Sequence, residues 1–179
     1  MKNTVQIFCL ITLFSAFFFP SCEKEIDGCT DSTACNYNDE ATNDDNSCQI
    51  PIDEVLEIIP FESIMYGSVG ETLETSVYLQ NSSCNTVEIL ARDLSSMIAN
   101  TQFCFAGTCF AAGTIISPFT LTLPSFVVAN SDIDGDGADD TFKSLFSSEE
   151  PGEFEVRYRF YLENDPSTSV EITINYIIS

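Results

Sequence analysis

The sequence has no histidine and no tryptophan, and only 6 of its 179 residues are lysine or arginine. Without imidazole there is no Ser-His or Cys-His nucleophile pair and no histidine-ligated metal centre. Without indole the best stacking platform for a sugar ring or a base is missing. Lys24, Arg92, Lys143, Arg157 and Arg159 are all the cations beyond residue 21. Nucleic-acid affinity depends on neutralising phosphates with such residues, so the composition argues against a nucleic-acid partner. With 28 Asp and Glu and a formal charge of −22, the chain is also repelled by an anionic bilayer surface, but not by a divalent cation.

There is ample material for a core: 44% of residues are hydrophobic, with 15 Phe and 6 Tyr. The length suits one main domain with a small appended module. Met1-Lys2-Asn3 is a short positive start, and Val5 to Phe19 is a mostly apolar run. That run falls short of the roughly 20 residues a membrane-spanning helix needs, and its form is that of an export signal. Ser21 before Cys22 is similar to the small-Cys end of a bacterial lipoprotein box, although Phe19 and Pro20 depart from its usual residues. Residues 1–21 are therefore expected to be a signal peptide, with a lipid on Cys22 anchoring the protein to a membrane, at the outer membrane or cell surface. Plain secretion and an uncleaved anchor are the alternatives.

Residues 22–50 have neither helical nor strand periodicity and are rich in Asp, Asn, Ser and Gly. A segment this polar cannot order itself by burial, so crosslinks or an ion must do it. Asp31, Asn36, Asn38, Asp44 and Asp45 are candidate oxygen ligands, which suit Ca²⁺; a solvated acidic spacer is the plainer reading. The run Gly28-Cys29-Thr30-Asp31, Ala34-Cys35-Asn36-Tyr37, Ala41-Thr42 and Asp44-Asp45-Asn46-Ser47-Cys48 resembles a short module of exported Bacteroidota proteins. Asn46 stands where that pattern has Gly, and Asn is the next-best residue for a left-handed turn.

The chain has 8 cysteines. With Cys9 removed and Cys22 lipidated, Cys29, Cys35, Cys48, Cys84, Cys104 and Cys109 remain, and an even number in an exported chain favours disulfides. Cys104 and Cys109 flank Phe105-Ala106-Gly107-Thr108, a tight loop that brings two strand ends within bridging distance. Cys104–Cys109 and Cys29–Cys48 are the expected pairs. Cys35–Cys84 would follow by elimination and staple the module to the main domain; other connectivities stay open.

Residues 52–179 alternate with a period of two in several places. Leu73, Thr75, Val77 and Leu79 share one face, as do Val87, Ile89 and Ala91. Phe154, Val156, Tyr158 and Phe160, then Val170, Ile172, Ile174 and Tyr176, predict a terminal hairpin. Ile58–Met65, Thr101–Phe105 and Phe119–Leu123 are further strand candidates, and Asp93–Ala99 could form one helical turn. The expected fold is all-β, an antiparallel immunoglobulin-like sandwich. Val156–Tyr161 and Asn164–Tyr176 also resemble a sandwich domain of Bacteroidota surface proteins, which implies an exported, non-catalytic module.

The sharpest chemical pattern is Asp132-Ile133-Asp134-Gly135-Asp136-Gly137-Ala138-Asp139-Asp140. Carboxylates at positions 1, 3, 5 and 9, a glycine at 6 and the carbonyl of Ala138 at 7 can wrap one Ca²⁺. The loop resembles those of EF-hands and of thrombospondin and integrin repeats. An EF-hand carries Glu at position 12, where this chain has Lys143, so a free-standing loop between strands is expected.

These features predict a non-catalytic, calcium-stabilised surface module for binding, adhesion or assembly, with an unidentified protein or glycan partner. Two alternatives compete with it. A glycosidase would use carboxylates such as Glu149, Glu150 or Glu163 at a separation of roughly 5 to 9 Å. A carbohydrate-binding module would stack sugars on Tyr37, Tyr66 or Tyr161.

Overall fold

The computed structural model describes residues 24–95 and 100–179. The expected signal segment 1–21, the lipidation site Cys22 and the last four residues of the Asp93–Ala99 turn lie outside the described residues.

Two short strands, β1 (Asp27–Gly28) and β2 (Asn43–Asp44), pair parallel within the small N-terminal module. The main domain contains β3 (Leu56–Ile58), β4 (Ile64–Gly67), β5 (Leu73–Val77), β6 (Leu79–Asn81), β7 (Val87–Asp93), β8 (Thr101–Phe105) and β9 (Thr108–Phe110). It continues with β10 (Leu121–Leu123), β11 (Val128–Ala129), β12 (Phe142–Phe146), β13 (Gly152–Leu162) and β14 (Ser169–Ile178). Among the described residues no helix is long and apolar enough to cross a membrane.

The long hairpin β13–β14 is the spine, in register from Gly152↔Ile178 to Tyr161↔Ser169. It anchors one layer with the order β10-β7-β13-β14-β4, in which β4 runs parallel to β14. The second layer has the order β5-β12-β8-β9, and the sheet β11-β6-β3 continues it past Tyr78, which separates β5 from β6. The result is an immunoglobulin-like antiparallel sandwich.

One expected strand, Ile58–Met65, is two strands in different layers. β3 pairs with β6 and β4 with β14, and the chain changes layer across Ile59-Pro60. Proline cannot donate to a ladder, so pairing ends there on one sheet and resumes on the other.

The alternating faces expected from the sequence are the buried ones: Leu73, Val77, Leu79, Ile89, Ala91, Val156, Tyr158, Phe160, Ile172, Ile174 and Tyr176 all join the core. Phe103, Phe105, Phe142 and Phe146 meet them from the second layer. Phe142 sits edge-on to Tyr158 and Phe160, each with centroids 4.8 Å away, and Phe146 stacks on Tyr176 at 4.5 Å. Burying each such side chain contributes about 1.5–3 kcal/mol.

This core contains a chain of hydroxyls. Tyr176 donates to Ser144 Oγ at 2.9 Å, Ser144 lies 3.0 Å from the Tyr158 hydroxyl, and Thr75 Oγ1 lies 3.3 Å from that of Tyr176. Thr75 and Ser144 belong to one layer and the two tyrosines to the other, so the chain bridges the layers polar group to polar group.

Three disulfides are formed: Cys29–Cys48, Cys35–Cys84 and Cys104–Cys109. The first closes the small module, the second joins it to the β6–β7 connection, and the third ties β8 to β9. Asn46 sits at φ 61°, so asparagine holds a left-handed turn at this position.

Candidate metal centre

The aspartate loop is inserted within a strand. β11 pairs with β6 through Ala129↔Leu79, and β12 pairs with β5 through Phe142↔Val77. Residues 130–141 therefore stand opposite Tyr78 alone, and both ends of the loop are fixed by the same β5–β6 ladder. The β8–β9 hairpin touches the loop from the side. A Cβ added to Gly107 would lie 2.7 Å from Ala138 Cβ, and Gly107 itself has φ +67°.

Within the loop the aspartates fold the backbone around themselves. Asp132 Oδ1 and Oδ2 accept the N–H groups of Gly135 and Gly137 at 2.7 and 2.8 Å. Asp134 accepts from Asp136 N–H at 3.0 Å, and Asp136 from Ala138 N–H at 2.7 Å. Gly135 and Gly137 adopt φ of 81° and 91°, values that side chains strongly disfavour. Ligand oxygens of Asp132, Asp134 and Asp136 all lie within 4.8 Å of one another and are exposed. Oxygens on opposite sides of one ion at calcium distances are separated by about 4.8 Å, so the three fit a shared cation. Among the described residues no other group of three carboxylates or thiols comes so close.

Asp140, expected at position 9, is buried, and its Oδ2 accepts the Ile133 N–H at 2.9 Å. Together with Asp134 it lines a surface cavity of about 260 Å³ beside the exposed ring of Phe119. Burial pushes the Asp140 carboxyl above its ordinary pKa, and Asp134, Asp136 and Asp132 push it further. Asp139 points elsewhere. Its bonds with Thr141, and then Lys143 at 3.0 Å, hold it down to about 2. The Ala138 carbonyl, expected at position 7, belongs to the residue whose N–H caps Asp136.

The folded state thus binds the Asp140 proton more tightly than the unfolded chain. Without a cation, the Asp140 contribution to stability falls as pH rises from the ordinary carboxylate value through the raised one, and the loss persists at neutral pH. Asp140→Asn keeps an acceptor for Ile133 but removes the charge. It is expected to raise the cation-free melting temperature at pH 7 and to flatten this pH dependence, as checked by thermal melts in chelator from pH 4 to 7. Asp139 acts oppositely: its contribution is present above its ordinary pKa and fades as pH falls towards about 2.

In the small module the candidate ligands are occupied by turns. Asp31 Oδ1 accepts from Thr33 N–H and Oγ1, Asn38 from Glu40, Asp44 from Asn46 and Asp45 from Ser47. Asn36 spans the module, donating to the Ser47 carbonyl and accepting from Gln49 N–H. The structure brings Asp31, Asp44 and Asp45 into no shared cluster of the kind formed at 132–136.

Glu149, Glu150 and Glu163 are exposed, and the eleven-residue strand β13 separates Glu163 from the other two. At about 3.4 Å per residue that is far beyond glycosidase spacing. Tyr66 is opposite Ile177 and Tyr161 opposite Ser169, near the two ends of β14, while Tyr37 lies in the small module. The three do not share a platform.

No protein-family model matches the chain, and no curated protein matches it. Among solved structures it is similar to the N-terminal domain of PorA at 15% identity, over 69% of this chain and 97% of that one, with a TM-score of 0.42. It is also similar to an ASH/PapD-like domain of human CEP192 (15% identity, 70% and 84% covered, TM-score 0.37). A third is the CARDB domain of the PF1109 protein from Pyrococcus furiosus, in complex with di-metal ions (12% identity, 75% and 97% covered, TM-score 0.38). Similarity of this degree concerns the fold alone.

Proposed function

We propose that this protein is an exported, non-catalytic binding module of the Bacteroidota lipoprotein type, held at the cell surface by lipid on Cys22 and stabilised by Ca²⁺ in the 132–140 loop. The convergence of Asp132, Asp134 and Asp136 carries this reading: three exposed carboxylates within 4.8 Å repel one another unless a cation lies between them. These three would hold the ion, with Asp140 and the Ala138 carbonyl completing its oxygen shell. A bound ion would supply the positive charge that offsets the mutual repulsion of these carboxylates. Three disulfides support an oxidising compartment, where even a site with Kd of about 10⁻⁴ to 10⁻³ M fills at millimolar calcium. Adhesion or assembly through a protein or glycan partner is the role that this construction suits.

A calcium titration of thermal stability tests it. At ten times Kd the ion adds about 1.4 kcal/mol, or roughly 3–6 °C for a domain of this size. The wild type is expected to gain that much, and Asp134→Ala with Asp136→Ala to gain nothing. Identical melting of the wild type in calcium and in chelator removes the metal from the proposal.

A further inference from the structure

In a chain this acidic, cations ordinarily find carboxylates. Lys143 lies 3.0 Å from Asp139 and 3.7 Å from Glu74, and Arg157 meets Glu171 at 2.9 Å. Arg92 and Arg159 make no ion pair among the described residues, and they are registered partners on adjacent strands, β7 and β13. Like charges directly opposite across a ladder destabilise it. On its other side Arg159 is opposite Glu171, whose carboxylate is engaged by Arg157.

The protein fixes Arg159 without satisfying it. Its Nη2 donates to the Pro166 carbonyl at 2.9 Å, and its guanidinium lies 6.0 Å from the Tyr161 ring centroid. Its Nε is buried and has no acceptor among the described residues. Arg92, Arg159, Tyr161 and Pro166 together line a surface cavity of about 230 Å³.

We propose that this cavity binds the carboxylate of an acidic sugar unit. Two guanidinium groups suit a planar oxyanion, which each can take in a bidentate fork. Tyr161 and Pro166 supply an apolar wall for a ring face, and the volume is that of a single small unit rather than a drug-sized ligand. A carboxylate held between the two guanidinium groups lies well within the screening length of about 8 Å, so it feels them more strongly than the chain's distant negative charge. The site shares no residue with the aspartate loop and stands or falls separately from it.

The full chain is titrated by calorimetry with a uronate oligosaccharide, its neutral counterpart, sodium sulfate and an acidic peptide, each with calcium and with chelator. The uronate is expected to bind and the neutral sugar not to. Arg92→Gln and Arg159→Gln should each weaken binding about tenfold or more, while chelator leaves it unchanged. Ligand-free Arg92→Gln should melt no lower than the wild type, because it relieves a repulsion; a purely structural arginine would lower the melting point. Equal binding of the neutral sugar, of sulfate, or of the acidic peptide in place of the uronate overturns the assignment. So does full affinity in both arginine variants.

Discussion

Replacing Phe142 by alanine is expected to cost about 3–5 kcal/mol, the range for deleting a fully buried aromatic. Typical domains have only about 5–15 kcal/mol in total. Phe142 is wholly buried and sits edge-on to both Tyr158 and Phe160, with Phe103 and Phe105 beside it. It is also the first residue after the aspartate loop to rejoin the β5 ladder, opposite Val77. Its loss therefore removes core packing and loosens the point at which the loop is closed. Urea unfolding measures the first effect, and a rise in the calcium concentration needed for half-maximal stabilisation measures the second. A cost under about 1 kcal/mol would mean that the site collapses around the missing ring, contrary to the close packing described.

Ser144→Ala removes a single hydroxyl and is expected to cost about 1–3 kcal/mol. Ser144 bonds both Tyr158 and Tyr176 in the middle of the core. Burial pushes both phenols above their ordinary pKa, so they remain neutral donors that need acceptors. After the substitution Tyr176 keeps Thr75, but the Tyr158 hydroxyl loses the partner described for it. Removing both ends of a buried hydrogen bond is less costly than removing one. Ser144→Ala with Tyr158→Phe should therefore be no less stable than Ser144→Ala alone. Strict additivity of the two single losses would rule out a coupled network.

The terminal hairpin was legible because its apolar residues alternate without interruption from Phe154 to Phe160 and from Val170 to Tyr176. β12 was not. Its inward positions are Phe142, Ser144 and Phe146, and a buried serine at the centre breaks the hydrophobic pattern. The signal for that serine lay in two tyrosines more than a dozen residues away. β11 and β9 are too short to show a period, and pairing alone defines them. The Asp-Gly spacing marked a candidate cation loop, but local sequence could not show that the loop interrupts one strand or that Gly107 abuts it. Asp140 illustrates the same limit: spacing assigned it a ligand position, while its burial and its bond to Ile133 depend on the surrounding fold. The arginine cavity was invisible because Arg92 and Arg159 are brought together only by the β7–β13 register.

The bond between Cys35 and Cys84 also determines how the molecule carries tension. A pull from the N-terminal side passes covalently from Cys35 to Cys84, bypassing residues 36–83 and with them β3, β4, β5 and β6. Those strands stay slack while the load enters the sandwich just ahead of β7, beside the long hairpin. The edge strands β3, β4 and β5, which a force would otherwise peel away first, are thereby shielded.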